Sequence, residues 1–486
     1  MNYRDFINAN FEDAEKYGVY PKSVNKKGGS TVFMAEIDGR DYLVCAGDNP
    51  GFEGKSENGV LLAELNHFNA KALRKAFPFT APTSALTKPA SFGVGDRLGI
   101  AGPGHIRVFE EYDVTPVFAQ QSIRELDLTE RNYEQVLDSS SFSVFREGYR
   151  HGFGADGDHL KKASDVEYAL GLGFTMITLD CSEHIQGGVD SLTLAEVEAK
   201  YVADKDTEER YLGKKFDLGE GVVLEFSKEE LMRIQLIYGK AIVFAVEIYE
   251  KYFAGGKTQA DFEVSIDETA TPTTPLQHFF VANELIRRGV KPATVAPRFC
   301  GEFQKGVDYI GDIAQFDAEM QVHAVIARHF GYKISVHSGS DKFSVFPSVG
   351  RHTQGIFHVK TAGTNWLEAM RVVAMADPAL YREVHKFALA SFDEATKYYH
   401  VTTDLSKIAD VDSLTDAQLP EYFSENDARQ LIHITYGLIL SKKDEEGNYV
   451  YRDRLYKLWK KNEKLYSDAL YSHIGRHMEL LGAKKR

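Results

Sequence analysis

The sequence predicts an α/β fold, a (β/α)8 TIM-like barrel with a small N-terminal α+β extension and C-terminal helices. Three observations support the barrel. From residue 81 onward, short strand-like runs that end in polar clusters alternate with amphipathic helical stretches. Eight such units follow one another over roughly 300 residues, more strands than an open doubly wound sheet usually has. Several runs also have one apolar and one polar face, as expected where helices cover the outside of a parallel barrel. The doubly wound sheet is the alternative.

Residues 1–80 form the predicted extension. STVFMAEI and DYLVCA flank Asp38-Gly39, a strong hairpin turn pair, and a helical pattern follows around Leu61–Phe77. The barrel is assigned to residues 81–398. Its expected strands are Pro89–Phe92, Pro116–Gln120, Gly152–Asp156, Phe174–Asp180, Phe262–Asp267, Thr294–Arg298, Lys333–His337 and Gly355–Lys360. In Phe262-Glu263-Val264-Ser265-Ile266-Asp267, apolar residues alternate with Glu, Ser and Asp. Lys333–His337 and Phe357–Lys360 alternate similarly, which turns Glu263, Asp267, Ser335, His337, His358 and Lys360 toward the barrel axis. Buried charges are costly unless paired or metal-bound, so their convergence marks either internal salt bridges or a site.

Between the strands, Phe279, Leu285 and Ile286 lead to a helix stop at Gly289. Ile313, Phe316, Met320, Ala324 and Ala327 form another apolar face, beside which His323 reads as packing. The charged, poorly periodic stretch 193–227 reads as an insertion between strands four and five and a candidate lid. Residues 399–486 read as a C-terminal helical region, with patterns over Asp427–Lys442 and Arg452–Leu481.

The chain has 486 residues, 43% apolar and 26% charged, the composition of an ordinary globular protein. Its net charge of −14 argues against a nucleic-acid partner. A small acidic substrate stays compatible, because a local Arg or Lys can hold a carboxylate. Cys45, Cys181 and Cys300 are dispersed, form no disulfide framework or zinc-site spacing, and fit a reducing cytoplasm. Met1–Phe11 lacks the apolar run of a signal peptide, and no apolar segment approaches the ~20 residues of a membrane helix. The expectation is a soluble cytoplasmic protein with no membrane partner. The oligomeric state stays open, a homo-oligomer included.

Gly152–Lys161 is the densest candidate for chemistry, with Asp156, Asp158 and His159 set among glycines. Gly152, Gly154 and Gly157 match G-x-G-x-x-G, but two carboxylates would repel a pyrophosphate, and the stretch falls on the third strand rather than the first. A divalent-metal site suits the residues better. His159, His337 and His358 at different strand ends, with Asp158 and Gln304, offer mixed nitrogen and oxygen ligands. Arg298, Lys360 and the Thr361–Thr364 loop are candidates for an acidic substrate group. There is no serine nucleophile elbow and no P-loop.

Taken together and in order, Ala90–Gly93 with Gly95–Gly99, Phe118–Ser122, Gly152–His159, Phe262–Thr269, His337–Ser344 and Phe357–Thr364 resemble the tagaturonate epimerases. These bacterial enzymes interconvert tagaturonate and fructuronate at carbon 4, and some homologues act on tagatose and fructose. The resemblance extends from the N-terminal hairpin into the C-terminal helices. It implies an isomerase dependent on a divalent cation (zinc, manganese, nickel, cobalt or iron) with an acid/base pair of carboxylates. Asp158 is implied as proton acceptor and Glu263 as proton donor, with His159 and His337 as metal ligands. A third ligand is implied within Glu302–Lys305, where Gln304 is the best chemical choice because lysine is a poor cation ligand. Gln120, Asp267, Arg298, His358 and Lys360 are then expected substrate contacts.

In a 2-ketohexose the hydrogen on carbon 4 is β to the ketone and is not acidified by it. Retro-aldol cleavage and re-addition between carbons 3 and 4 is therefore the expected route, with a metal as Lewis acid. The alternatives are a class II metal-dependent aldolase, which would release two fragments, and an NAD-dependent sugar oxidoreductase.

Overall fold

Eight parallel strands close into a barrel in sequence order: Ala90–Val94, Thr115–Ser122, Gly154–Leu160, Met176–Asp180, Asp261–Ile266, Thr294–Pro297, Lys333–Val336 and Phe357–Thr361. The structure, a computed structural model, describes residues 2–486; of Thr364, in the candidate anion loop, the side chain lies outside the described residues. The (β/α)8 class is the expected one. Only the third strand is appreciably displaced from its predicted bounds, beginning and ending later.

Alternation decides what faces where. Phe262, Val264 and Ile266 are buried in the largest apolar cluster together with residues of the helices Lys228–Tyr252 and Pro275–Arg287. Glu263 and Ser265 between them point inward and are fully buried. The helix Pro275–Arg287 starts on a Thr274/Gln277 capping box with proline at its first position. Gly289 just beyond it takes φ +85°, the left-handed turn that ends the helix where predicted. His323, on the helix Ile313–Phe330, is buried against His278, with their Nδ1 atoms 2.9 Å apart.

Upstream of the barrel, residues 25–64 form a five-stranded antiparallel sheet. In its central hairpin Ile37 pairs with Arg40, and both loop residues have positive φ (Asp38 +49°, Gly39 +78°), the two-residue turn that matches strand twist. The insertion at 193–227 contains the helices Leu194–Lys200 and Lys205–Tyr211 and the hairpin Lys215–Asp217/Val223–Glu225. Tyr211, Phe216 and Phe226 pack on Phe279 and Phe280, so this insertion clothes an outer helix.

The helices Asn426–Ile434, Tyr436–Ser441, Arg452–Lys461 and Glu463–Leu480 share one apolar core with the last barrel helix, Thr364–Ala376. Trp366 Nε1 donates to the Ile432 carbonyl at 2.7 Å and Trp459 Nε1 to that of Ala369 at 2.8 Å. His473 joins this region to the loop after the seventh strand: its ring lies between Asp341 and Glu368, 3.3 Å from the latter, and Arg429 also pairs with Asp341 at 2.7 Å. Burial disfavours charge on His473, but Asp341 and Glu368 outweigh it and raise its pKa. A folded-state pKa above the unfolded ~6.5 means stability that is full below that value and lost as pH rises through the folded value. The loss in urea midpoint caused by His473→Gln is therefore expected to be largest at pH 5.5–6 and to shrink in alkali; a loss independent of pH would refute the ionic role.

All three cysteines are free and buried. No helix of the described residues is long and apolar enough to cross a membrane.

Candidate active site

A cavity of about 420 Å³ opens at the C-terminal ends of the barrel strands, where barrel enzymes place their chemistry. Its floor is set by an irregularity in the third strand. Asp156 and Asp158 point inward, and Gly157 between them faces outward, where a Cβ would come within 3.1 Å of Ala169 and 3.2 Å of Ile177. The glycine thus serves close strand–helix packing, not a phosphate. Simple alternation would also turn His159 outward. Instead the register against the fourth strand slips between Gly157 and Leu160, and His159 adopts φ +54°. Such a conformation costs a non-glycine residue about 1–3 kcal/mol and concentrates at functional sites. It brings the imidazole to the cavity beside Asp158.

The two cavity histidines are held alike. His159 Nδ1 lies 2.7 Å from Asp158 Oδ1, and His337 Nε2 lies 2.6 Å from Glu263 Oε1. Their remaining nitrogens face one carboxylate: His159 Nε2 is 3.7 Å from Asp267 Oδ1 and His337 Nδ1 is 3.2 Å from Asp267 Oδ2. His337 Nδ1 is buried without a hydrogen-bond partner. Ligand atoms from His159, Asp267 and His337 lie within 4.8 Å of one another. Donors about 2.1 Å from a tetrahedral ion are about 3.4 Å apart, so the set fits a divalent cation. A carboxylate behind each imidazole fixes its tautomer and orientation, the usual support of a metal-binding histidine.

A second cluster, Asp341 with His473 and His477, does not fit a cation. Arg429 already pairs with Asp341 there, and His477 has both nitrogens engaged, Nε2 by the Asp341 N–H and Nδ1 by the His473 carbonyl.

Behind the histidines, Lys360 Nζ is shared among Asp158, Asp156 at 2.7 Å, Glu263 at 3.5 Å and the Thr178 hydroxyl at 2.7 Å. Burial opposes the charge on Lys360, but the three carboxylates hold its pKa above the ordinary value. Burial likewise opposes ionisation of Asp158, yet Lys360 and His159 keep its carboxyl well below the usual range. Glu263 is held down by Lys360 and His337 against the same penalty. For Asp156 burial wins over Lys360 and pushes the carboxyl up to about 6. Around one ammonium, Asp156 is therefore the carboxylate most ready to carry a proton. Its position two residues before Asp158 on one strand was the available signal for pairing it with that residue.

Asp158, His159, Asp267, His337, Lys360, Gln120, Arg298 and Gln304 line the cavity. Gln120 donates through Nε2 to the Thr361 carbonyl at 3.1 Å, leaving its buried Oε1 unpartnered. Glu263 and His358 are fully buried and lie off the cavity wall. His358, expected to touch substrate, instead has Nδ1 3.0 Å from the Ser91 hydroxyl, and burial pushes its pKa down to about 3. Gln304, expected as third ligand, has its Oε1 committed to Thr402 N and Oγ1 and to Gln430 Nε2, each at 3.0 Å. Asp267, expected as a substrate contact, lines the cavity with its carboxylate between the two imidazoles. No described residue of 193–227 reaches the cavity; Tyr398, Tyr399 and His400 cover it instead. Those three follow the barrel in a stretch with no periodic pattern, which gave no sign of their position.

A closed parallel barrel with imidazoles and carboxylates gathered at its C-terminal mouth is the architecture of a barrel enzyme. The sequence profile of the tagaturonate epimerase family matches residues 20–481. A tagaturonate/fructuronate epimerase of Thermotoga maritima is 44% identical over 477 residues, covering 96% of this chain and 97% of that one. The glycerol-complexed crystal structure of fructuronate-tagaturonate epimerase UxaE from Cohnella laeviribosi has a TM-score of 0.95 at 50% identity, with 99% of each chain covered. The native crystal structure of that protein has the same TM-score and covers 99% of this chain. The chain belongs to the tagaturonate epimerase family.

Proposed function

We propose that this protein interconverts D-tagaturonate and D-fructuronate by epimerisation at carbon 4, with a divalent cation held by His159, Asp267 and His337. The observation that carries the reading, beside the family, is the cavity where these three donors adjoin Asp158 and Lys360. When bound, such a cation supplies Lewis acidity toward a hydroxy-ketone.

The residues of the chain then divide the remaining work. Asp158, kept ionised by Lys360 and His159, accepts the proton of the carbon 4 hydroxyl as the carbon 3–carbon 4 bond breaks. The bonding pair passes to the three-carbon ketone fragment, and carbon 4 becomes an aldehyde. That aldehyde turns over, its opposite face is attacked by carbon 3, and the bond re-forms with a proton returned to the carbon 4 oxygen. Glu263 and Asp156 lie off the cavity wall, so they exchange protons with it through Lys360, which touches both and Asp158. Asp156, the carboxylate most ready to carry a proton, thus serves as the donor at one remove, while Glu263, held ionised, fixes His337.

The test is turnover of D-tagaturonate deuterated at carbon 4, with the products separated chromatographically. Fructuronate that keeps the label is the expected product. Label lost to water would overturn the cleavage route, three-carbon products would favour the aldolase, and no epimer with any added divalent metal would overturn the function.

A further inference from the structure

Besides Lys305, six cationic or imidazole groups line the cavity, and five of them already have an anionic or carbonyl partner. Lys360 is shared by three carboxylates, and His159 and His337 lie on Asp158, Glu263 and Asp267. Arg124 pairs with Glu268 at 3.4 Å and donates to the Tyr398 carbonyl. Arg298 donates to the Thr269 carbonyl and lies 3.6 Å from Glu302. Lys305 differs. Its Nζ reaches only the Ser338 hydroxyl, at 3.3 Å, and among the described residues no carboxylate is within ion-pair distance of it.

Its backbone is fixed on both sides. Lys342 Nζ donates to the carbonyls of Gln304 and Val307, Gln430 Nε2 donates to that of Lys305 itself, and Arg429 Nε donates to that of Gly306. The Gln304 side chain adds a further tie to Thr402 and Gln430. The short segment is thus held rigidly, with an unpaired ammonium on the cavity wall beside Ser338, the neighbour of His337. Leaving such a group without an anion in a sheltered site is costly, and a ligand carboxylate would remove the cost.

We infer that Lys305 receives the carboxylate of the substrate and so selects a hexuronate over the corresponding neutral ketohexose. The inference rests on the epimerase reading given above. Gln304 is then a positioning residue for Lys305. A neutral sugar, with a hydroxymethyl group in place of the carboxylate, leaves the ammonium unpaired and is disfavoured.

The experiment compares wild type, Lys305→Met and Lys305→Arg on D-tagaturonate and on D-tagatose, by turnover and by calorimetric binding. In Lys305→Met, kcat/KM for tagaturonate is expected to fall about 100-fold or more, chiefly through KM, with unchanged metal content. Activity toward tagatose is expected to hold or rise, and Lys305→Arg to recover part of the loss. An equal loss on both sugars, or an arginine variant no better than the methionine one, would overturn the assignment. If wild type turns over neither sugar, the epimerase reading fails while binding still decides the contact. A wild-type preference for the acid that vanishes in Lys305→Met upholds it, and equal binding of acid and neutral sugar overturns it. Should Lys305→Met not fold, Lys305→Gln takes its place under the same criteria.

Discussion

Asp158→Asn is expected to lower kcat by about 10²–10⁴-fold, the range for removal of a general base in contact with the reacting group. The side chain keeps its shape, and Lys360 retains Asp156 and Glu263, so the barrel should remain folded. One complication can be separated. Asp158 also orients His159, a proposed metal ligand, and loss of a carboxylate behind such a ligand weakens metal binding by about 10–100-fold. Measured with saturating divalent metal, that contribution disappears and the loss in kcat remains. Recovery of full activity by metal alone would reduce Asp158 to an orienting role.

The second large effect concerns the proposed third ligand. Asp267→Ala is expected to lose the divalent ion on dialysis, read by elemental mass spectrometry, and to lose activity with it. Gln304→Ala is expected to retain the ion, because its amide oxygen is turned to Thr402 and Gln430. Removing a direct ligand should exceed the about 10–100-fold cost of removing a supporting partner, so excess metal should restore Glu263→Gln better than Asp267→Ala. Metal retained in Asp267→Ala and lost in Gln304→Ala would return the role to the Glu302–Lys305 segment.

The barrel was legible because period-two alternation survives in most of its strands. Phe262–Asp267 shows each face in turn, and the inward placement of Glu263 follows from that pattern alone. The third strand was less legible for a local reason. A register slip and a left-handed His159 break the alternation where Asp158 and His159 must share a cavity, so the strand appeared to end at Asp156. Alternation turned Asp267 inward, but Gln304 lies in a loop where no periodicity dictates direction; only the packed structure distinguishes a carboxylate between two imidazoles from an amide bound to another segment. The 193–227 stretch shows the converse. Its charge and irregularity suit a lid, but Tyr211, Phe216 and Phe226 tie it to an outer helix. Asp156 was named among the candidates of the glycine-rich stretch but given only a supporting role, because its high proton affinity arises from burial beside a shared lysine, which sequence does not display.

The ties from Arg429, His473 and His477 to Asp341, and from Thr402 and Gln430 to Gln304, bear on how the protein is made. A chain leaving the ribosome presents its eight strands first, and every proposed metal donor with them. The loops after the sixth and seventh strands gain these anchors only when the last hundred residues have emerged. Until then a nascent barrel holds the reactive groups on unbraced loops under an unfinished roof. Residues 402–477 thus finish the support of the site only after all eight barrel strands and every proposed donor have been made.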